Sequence, residues 1–570
     1  MKKLLLYYLS LLLICWSCKN TPEKTDVVVQ GKLCAGKPLA VTFLDDINTA
    51  PIFDGLEGVN FIITTDDKKA QKYFNQGMML AYGFNHAEAA RSFHEVTKID
   101  PSCAMGYWGL AYVLGPNYNA GMEDDNLERA YTAIQQAKKL SGNCTDLEKD
   151  LIMAMEQRYS PEKLEDRSPL DKAYANALRE VHIAHSDNPY VGTLRAESLM
   201  DLHPWDMWSK DGTPQPWTNE ILEILENIMD DYPRNAGANH LYIHAIEASH
   251  DPDKAIQAAD LLRTLVPGAG HLVHMPSHIY IRTGRYHQGS EANIQAVEVD
   301  SQYVASCHAQ GVYPLAYYPH NAHFLAACAT LEGNEKRAIE AAFNVRALTD
   351  TALMRKPEWG TLQHYYSIPL FVMVKFGMWD KIIQSKNEAE DLVYPSIIWH
   401  YARGMAFTAK GQTTEAVREM KILRQLAKDP IIDEMTIWDL NQIRDLVTIA
   451  SKVLEGTIAA DQENYVLAEK MLRDAVEIED QLNYNEPPDW FFSVRHHLGP
   501  VLLKAQKYRE AEDVYQEDLK IYPKNGWAMS GLITALANQD KVDEAADVKA
   551  DFAKAWKWAN VELEDSEVKR

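Results

Sequence analysis

The chain has 570 residues, and 57 Lys and Arg against 81 Asp and Glu leave a formal net charge of −24. With 46% hydrophobic and 24% charged residues the composition is that of a folded globular protein and excludes a disordered one. The acidity argues against nucleic acid as a partner, since phosphate binding needs a surplus of Lys and Arg, and seven cysteines are too few for a disulfide scaffold.

The chain opens with Met1-Lys2-Lys3, runs apolar from Leu4 to Ser17, reaches Cys18 and turns polar at Lys19-Asn20-Thr21-Pro22. Two lysines before a short apolar stretch predict a secretory signal, because a transmembrane helix needs roughly 20 apolar residues. A small residue just before a cysteine at the end of such a run resembles the lipobox of bacterial lipoproteins. That resemblance implies a signal peptide of residues 1–17, cleavage before Cys18 and acylation of Cys18 with fatty acids such as palmitate. Several acyl chains anchor firmly, because each buried CH₂ contributes about 0.8 kcal/mol. Lys19 stands where an inner-membrane retention signal has Asp, so the resemblance points to the outer membrane. Cys34, Cys103, Cys144, Cys307 and Cys328 then remain, an odd number that leaves at least one unpaired. Residues 18–66 read as a lipid-anchored tether and an extended lead-in, polar at first and then β-branched and turn-rich (Val41-Thr42-Phe43, Ile62-Ile63-Thr64).

From about Asp67 a repeat takes over. Tyr73, Gly77, Leu80, Ala89, Phe93 and Pro101 fall in register on the W-x₂-L-G-x₂-Y, A-x₃-F, P pattern of period about 34. Later copies carry Tyr107, Leu110 and Ala111; Ala255, Ala259, Leu262 and Pro267; Ala468, Leu472 and Ala475; and Leu498, Gly499, Ala511, Tyr515 and Pro523. These residues resemble tetratricopeptide repeats (TPR). A helical hairpin of this kind cannot bury its apolar face alone, so neighbours stack around one continuous core. The predicted fold class is therefore all-α: an α-solenoid of about eleven or twelve TPR-like helical hairpins over residues 67–560, behind a short extended N-terminal lead-in. Residues 561–570 read as a charged C-terminal tail that frays. Two insertions interrupt the period. One is the Gly115 to Asn126 loop; the other, His203 to Trp217, holds Trp205, Trp208 and Trp217. These tryptophans either plug the gap between hairpins or offer a stacking platform to a sugar or peptide.

The central third concentrates histidine: His240, His244, His250, His271, His274, His278, His308, His320 and His323. His240, His244 and Glu247 are four and three apart, so they share one stripe of a first helix. His274 and His278 repeat the four-residue step one period later (274 − 240 = 34), and His320 and His323 begin the first helix of the next hairpin. TPR arrays line their concave groove with first helices, whose axes lie roughly 8–10 Å apart, so these imidazoles are expected to converge on the inner wall. Imidazole is the commonest ligand for transition metals, and i, i+4 pairs supply two ligands from one helix. His240, His244, Glu247, His274, His278, His320 and His323 are the candidate ligands of a divalent transition metal such as zinc, iron, manganese or copper. Arg282, one turn after His278, is placed to hold an anionic group. The alternative is a polar groove that clamps a bound backbone.

Nucleotide and hydrolase motifs are absent from the sequence: no G-x-x-x-x-G-K-[ST], no G-x-G-x-x-G after a strand, no G-x-S-x-G and no H-E-x-x-H. Two long phrases are similar to a widespread bacterial family of long TPR proteins without a settled activity. They are Gly270-His271-Leu272-Val273-His274-Met275-Pro276-Ser277-His278, continuing to Gly284-Arg285-Tyr286, and Glu486-Pro487-Pro488-Asp489-Trp490-Phe491, continuing to Asn525-Gly526-Trp527. Both are longer than packing requires, which suggests a shared site. The anchor and helical repeats also resemble lipid-anchored glycan binders that serve polysaccharide uptake. The leading expectation is an envelope-anchored scaffold that binds a protein, peptide or glycan in its concave groove; the rival is a metal-dependent enzyme at the histidines.

Overall fold

The structure, a computed structural model, describes residues 50–307 and 313–569. The leader, Cys18 and most of the tether lie outside the described residues. Lys68–Tyr82 packs on His86–Ile99, and eleven further helix pairs follow. They are Ala104–Leu114 with Leu127–Leu140, Asp146–Glu156 with Ser168–Ala184, Pro189–Met200 with Thr218–Asp231, and Ala236–Glu247 with Ile256–Leu265. Next come the helix split into Gly270–His274 and Pro276–Arg282 with Tyr286–Cys307, Tyr318–Leu331 with Glu335–Leu348, and Gly360–Lys375 with Trp379–Gln384. Val393–Ala409 with Thr413–Leu426, Ile443–Asp461 with Tyr465–Gln481, Arg495–Lys504 with Tyr508–Ile521 and Gly526–Ala537 with Val542–Ala555 complete the TPR-like solenoid. No described helix is long and apolar enough to cross a membrane.

The repeat pattern works through close packing. A Cβ at Gly77 would lie 2.7 Å from the Phe93 ring and one at Gly109 2.3 Å from it, so both glycines make room for one aromatic knob. Tyr515 sits the same way between Gly499 and Gly531. Asparagine starts many of the helices: Asn85, Asn188, Asn235, Asn334, Asn464 and Asn525 each accept a first-turn backbone N–H on the side chain. Pro276 cannot donate to the preceding turn and splits its helix between His274 and His278 without redirecting it, since Met275 keeps helical dihedrals.

The lead-in is extended and tied to the first hairpins. The Tyr73 hydroxyl donates to the Ala50 carbonyl at 2.7 Å, Gln76 brackets Pro51 and Phe53, and Phe61 stacks on Tyr190 at 5.0 Å. The C-terminal end, expected to fray, instead folds as a small hairpin of Leu563–Glu564 against Glu567–Val568. Its tip is held because Ser566 is buried, donates to the His496 carbonyl at 2.9 Å and meets the Tyr515 hydroxyl at 3.1 Å.

The winding leaves little open groove in the centre. Every residue from Ala236 to Glu247 is buried, the signature of a helix packed on all sides. The first hairpin closes one side, where Tyr82 meets Gly237 and His240. The far half of the chain closes another: Tyr286 donates to the Pro523 carbonyl at 2.8 Å, and the Trp527 indole donates to the Thr330 carbonyl at 2.8 Å. The two insertions fold inward, where Asn119, Pro204 and Trp205 line the central cavity. Two hydrophobic cores, one reaching to Tyr317 and the other beginning at Ile281, meet at this place, and the histidines lie on the seam.

Candidate metal centre

Three groups of side chains have their ligand atoms within 4.8 Å of one another: His240, His244 and His271; His274, His278 and His320; and Glu247, His278 and Glu486. His240 and His244 reach the seam from one helix and His271, His274 and His278 from the next. All five are buried. Rings of the two imidazole triads stand 5.8–5.9 Å apart (His271–His274, His244–His278), so the triads share one chamber.

Partners on the outer side of each ring decide which nitrogen faces inward. The His240 Nδ1 donates to the Tyr82 carbonyl oxygen at 2.6 Å. The His244 Nδ1 donates to Glu247 Oε1 at 2.7 Å, and the His278 Nδ1 donates to Glu247 Oε2. The His274 Nδ1 meets Asn293 Oδ1 at 2.7 Å, and the Asn293 amide is oriented by its own donation to the Gly289 carbonyl. A carbonyl or carboxylate oxygen only accepts, so Nδ1 carries a hydrogen in each of these rings and Nε2 is the nitrogen left to serve as a ligand. Two of those Nε2 atoms, on His274 and His278, face each other at 2.9 Å. The His240 and His271 Nε2 atoms are 3.2 Å apart, and His244 Nε2 and His271 Nδ1 have no hydrogen-bond partner among the described residues. Two nitrogens held about 2.0–2.1 Å from one tetrahedral ion lie about 3.3 Å apart, close to both separations.

The electrostatics favour the ligand form of imidazole. Burial holds His240, His271, His274 and His320 well below the ordinary imidazole range, and neighbouring imidazoles push the same way. Burial also lowers His244, against the pull of Glu247. Burial would raise Glu247, but His278 and His244 outweigh it and hold the carboxylate at about 2. Glu247 is thus an ionised acceptor shared by one ring of each triad. Glu486, in contrast, is pushed well above the carboxylate range by burial, with Arg282 opposing.

The expected residues do not all converge. His323 belongs to none of the three groups: it stacks on Phe491 at 4.8 Å and meets Tyr365 at 5.2 Å. A three-residue step turns a side chain by about 60° on a helix. That step carries His323 toward the next hairpin, while His320 and Phe324 face His274 and His278. Arg282 lies beside the site, its guanidinium 5.4 Å from the Tyr484 ring centre and donating to the Ser249 carbonyl at 3.1 Å. Of the three tryptophans, Trp208 and Trp217 fill space, their indoles bound to the Ala245 and Asp206 carbonyls at 2.7 and 2.8 Å. Trp205 stacks on Tyr118 and turns its edge to His244 at 5.7 Å. His271 and Glu486 were not singled out as ligands from the sequence. Both stand in the two long phrases, which meet where His278 Nδ1 lies 3.5 Å from Glu486 Oε2. Among the described residues Cys103, Cys144 and Cys328 are free, buried thiols that take no part.

The cavity between the triads has a volume of about 50 Å³. Pockets for drug-sized ligands run to about 300–1,000 Å³, so a peptide strand or glycan does not fit here.

No protein-family model matches the chain, and no curated protein matches it. Among solved structures it resembles the human IFIT1 dimer with PPP-AAAA (11% identity, 86% of this chain and 91% of that one, TM-score 0.31). It also resembles the APC/C hetero-tetramer Cut9-Hcn1 (12%, 85% and 73%, TM-score 0.28) and yeast Tom70 (11%, 86% and 93%, TM-score 0.25). At these scores the likeness says nothing about the site.

Proposed function

We propose that the chain is a metal-binding solenoid that encloses two transition-metal ions, one in each imidazole triad. The observation that carries the reading is the His274–His278 contact, two Nε2 atoms 2.9 Å apart in a buried site. Without a proton or cation between them this contact is repulsive, and the outer hydrogen bonds to Asn293 and Glu247 keep either ring from turning away. The pattern of outer partners is that of metal-bound histidine, whose free N–H is held by a carboxylate or carbonyl. Three imidazoles per ion suit zinc, copper, iron or nickel, and three protein ligands leave a position open for chemistry.

The test is elemental analysis of protein prepared without an affinity tag, after reconstitution with zinc, copper or cobalt. Two ions per chain are expected. His244→Ala and His278→Ala should each remove one ion, while His323→Ala should keep both. Failure of every metal to bind overturns the reading.

The lipoprotein-like leader supports a further part of this proposal: the solenoid is anchored in the cell envelope through Cys18, on the outer membrane. Mass spectrometry of the mature N-terminus checks it, and an unmodified Cys18 refutes it. A second reading, binding of a protein, peptide or glycan partner, draws on an outer cleft of about 700 Å³ lined by Arg473, Glu477, Asp480, Arg495 and Glu510. That size suits a ligand of this kind. A ligand-induced rise in melting temperature with glycan or peptide pools supports it, and no rise counts against it.

A further inference from the structure

The chamber has one apolar side. Beyond His244, His271, His278 and His320 it is walled by Trp205, Ala316, Tyr317, Trp438 and Leu440. Tyr317 and Ala316 are buried, whereas Trp205, Trp438 and Leu440 are only partly so, which places the mouth between the His203–Trp217 insertion and the Thr436–Gln442 hairpin. Trp205 and Trp438 both have left-handed backbone, with φ of 60° and 52°. Trp438 and Asp439 form the turn of the Thr436–Ile437 and Asn441–Gln442 hairpin, where positive φ at both positions favours Asn or Gly. A tryptophan held in strain at such a position is kept there by what it touches. The Trp205 indole Nε1 is buried and has no hydrogen-bond partner among the described residues.

We infer that the two ions serve a small ligand of about two to four heavy atoms, of the size of dioxygen, that coordinates through oxygen or nitrogen and enters between Trp205 and Trp438. This rests on the metal-binding reading. A volume of about 50 Å³ holds only a few water-sized atoms, and three imidazoles would leave each ion one coordination position open to a ligand. The apolar wall excludes bulk water and strengthens any bond at the metal. Trp205 and Trp438 act as a size filter, and the unpaired indole N–H offers one donor to an acceptor atom of the ligand.

The experiment uses the full chain loaded with cobalt, whose visible absorption reports ligands at the metal. Azide, a linear triatomic, should shift the spectrum of the wild type, whereas the fused bicycle benzimidazole should not. Trp205→Ala and, separately, Trp438→Ala should admit benzimidazole with affinity raised about tenfold or more. Trp205 and Trp438 belong to different loops, so loss of folding in one variant leaves the other as the test, with circular dichroism as the check. If benzimidazole enters the wild type as readily as the variants, or azide leaves the spectrum unmoved, the inference falls. If cobalt does not bind at all, the metal-binding reading falls instead.

Discussion

Glu247→Gln isolates the carboxylate that joins the two triads. In the wild type one oxygen accepts from His244 Nδ1 and the other from His278 Nδ1, and Glu247 is 1% exposed. Glutamine keeps one acceptor and turns an NH₂ toward the second ring, so one N–H loses its partner and meets another donor. A buried donor left unsatisfied costs about 1–3 kcal/mol, and hydrogen bonds to charged groups lie toward the upper end. The unfolding free energy of the metal-free protein should therefore fall by about 2–3 kcal/mol. Metal affinity should fall about 10–100-fold, or about 1.4–2.7 kcal/mol, because outer partners orient the ring and raise its basicity. The loss should reach ions in both triads, whereas Asn293→Ala, whose side chain is hydrogen-bonded to His274 but to no other imidazole of the triads, should weaken one ion alone. Zinc titration against a competing chelator measures both affinities, and urea unfolding of the chelator-treated protein measures the first effect. A Glu247→Gln protein that binds two zinc ions as tightly as the wild type refutes the assignment of Glu247 as the shared outer partner.

Asp300 is buried and pushed up to about 7, with the Tyr313 hydroxyl and Asn321 amide pulling the other way at 2.7 and 2.6 Å. Its folded value lies above the unfolded value of about 3.9, so its stabilising contribution is full below about pH 4 and is lost as pH rises through 7. Relative to the wild type, Asp300→Asn should gain up to about 4 kcal/mol between pH 4 and 8, and parallel urea-unfolding curves across that range would sink the expectation. At Gly284, φ is 72° and a Cβ would lie 2.3 Å from the Pro523 carbonyl oxygen. Gly284→Ala adds the left-handed penalty of about 1–2 kcal/mol to that collision, so destabilisation above about 2 kcal/mol is expected from chemical unfolding. A near-neutral result would mean that the middle and the C-terminal hairpins do not press together there.

Sequence periodicity determined the helical pairs of this protein, because glycine opposite an aromatic knob and asparagine at helix starts are local rules that each repeat obeys independently. Gly77 and Phe93, or Gly499 and Tyr515, announce their packing without reference to the rest of the chain. The four-residue and thirty-four-residue spacings likewise put His240, His244, His274 and His278 on one inner wall. Tertiary structure decided the rest. How tightly successive hairpins wind depends on small rotations summed over many units, and no local pattern encodes that sum. Only the winding turned an expected open groove into a closed chamber, brought Glu486 to His278 across more than two hundred residues, and sent His323 to a different neighbour from His320. The charged ending was illegible for the same reason: its hairpin is held by Ser566 against His496 and Tyr515, contacts that exist only once the last repeats have stacked.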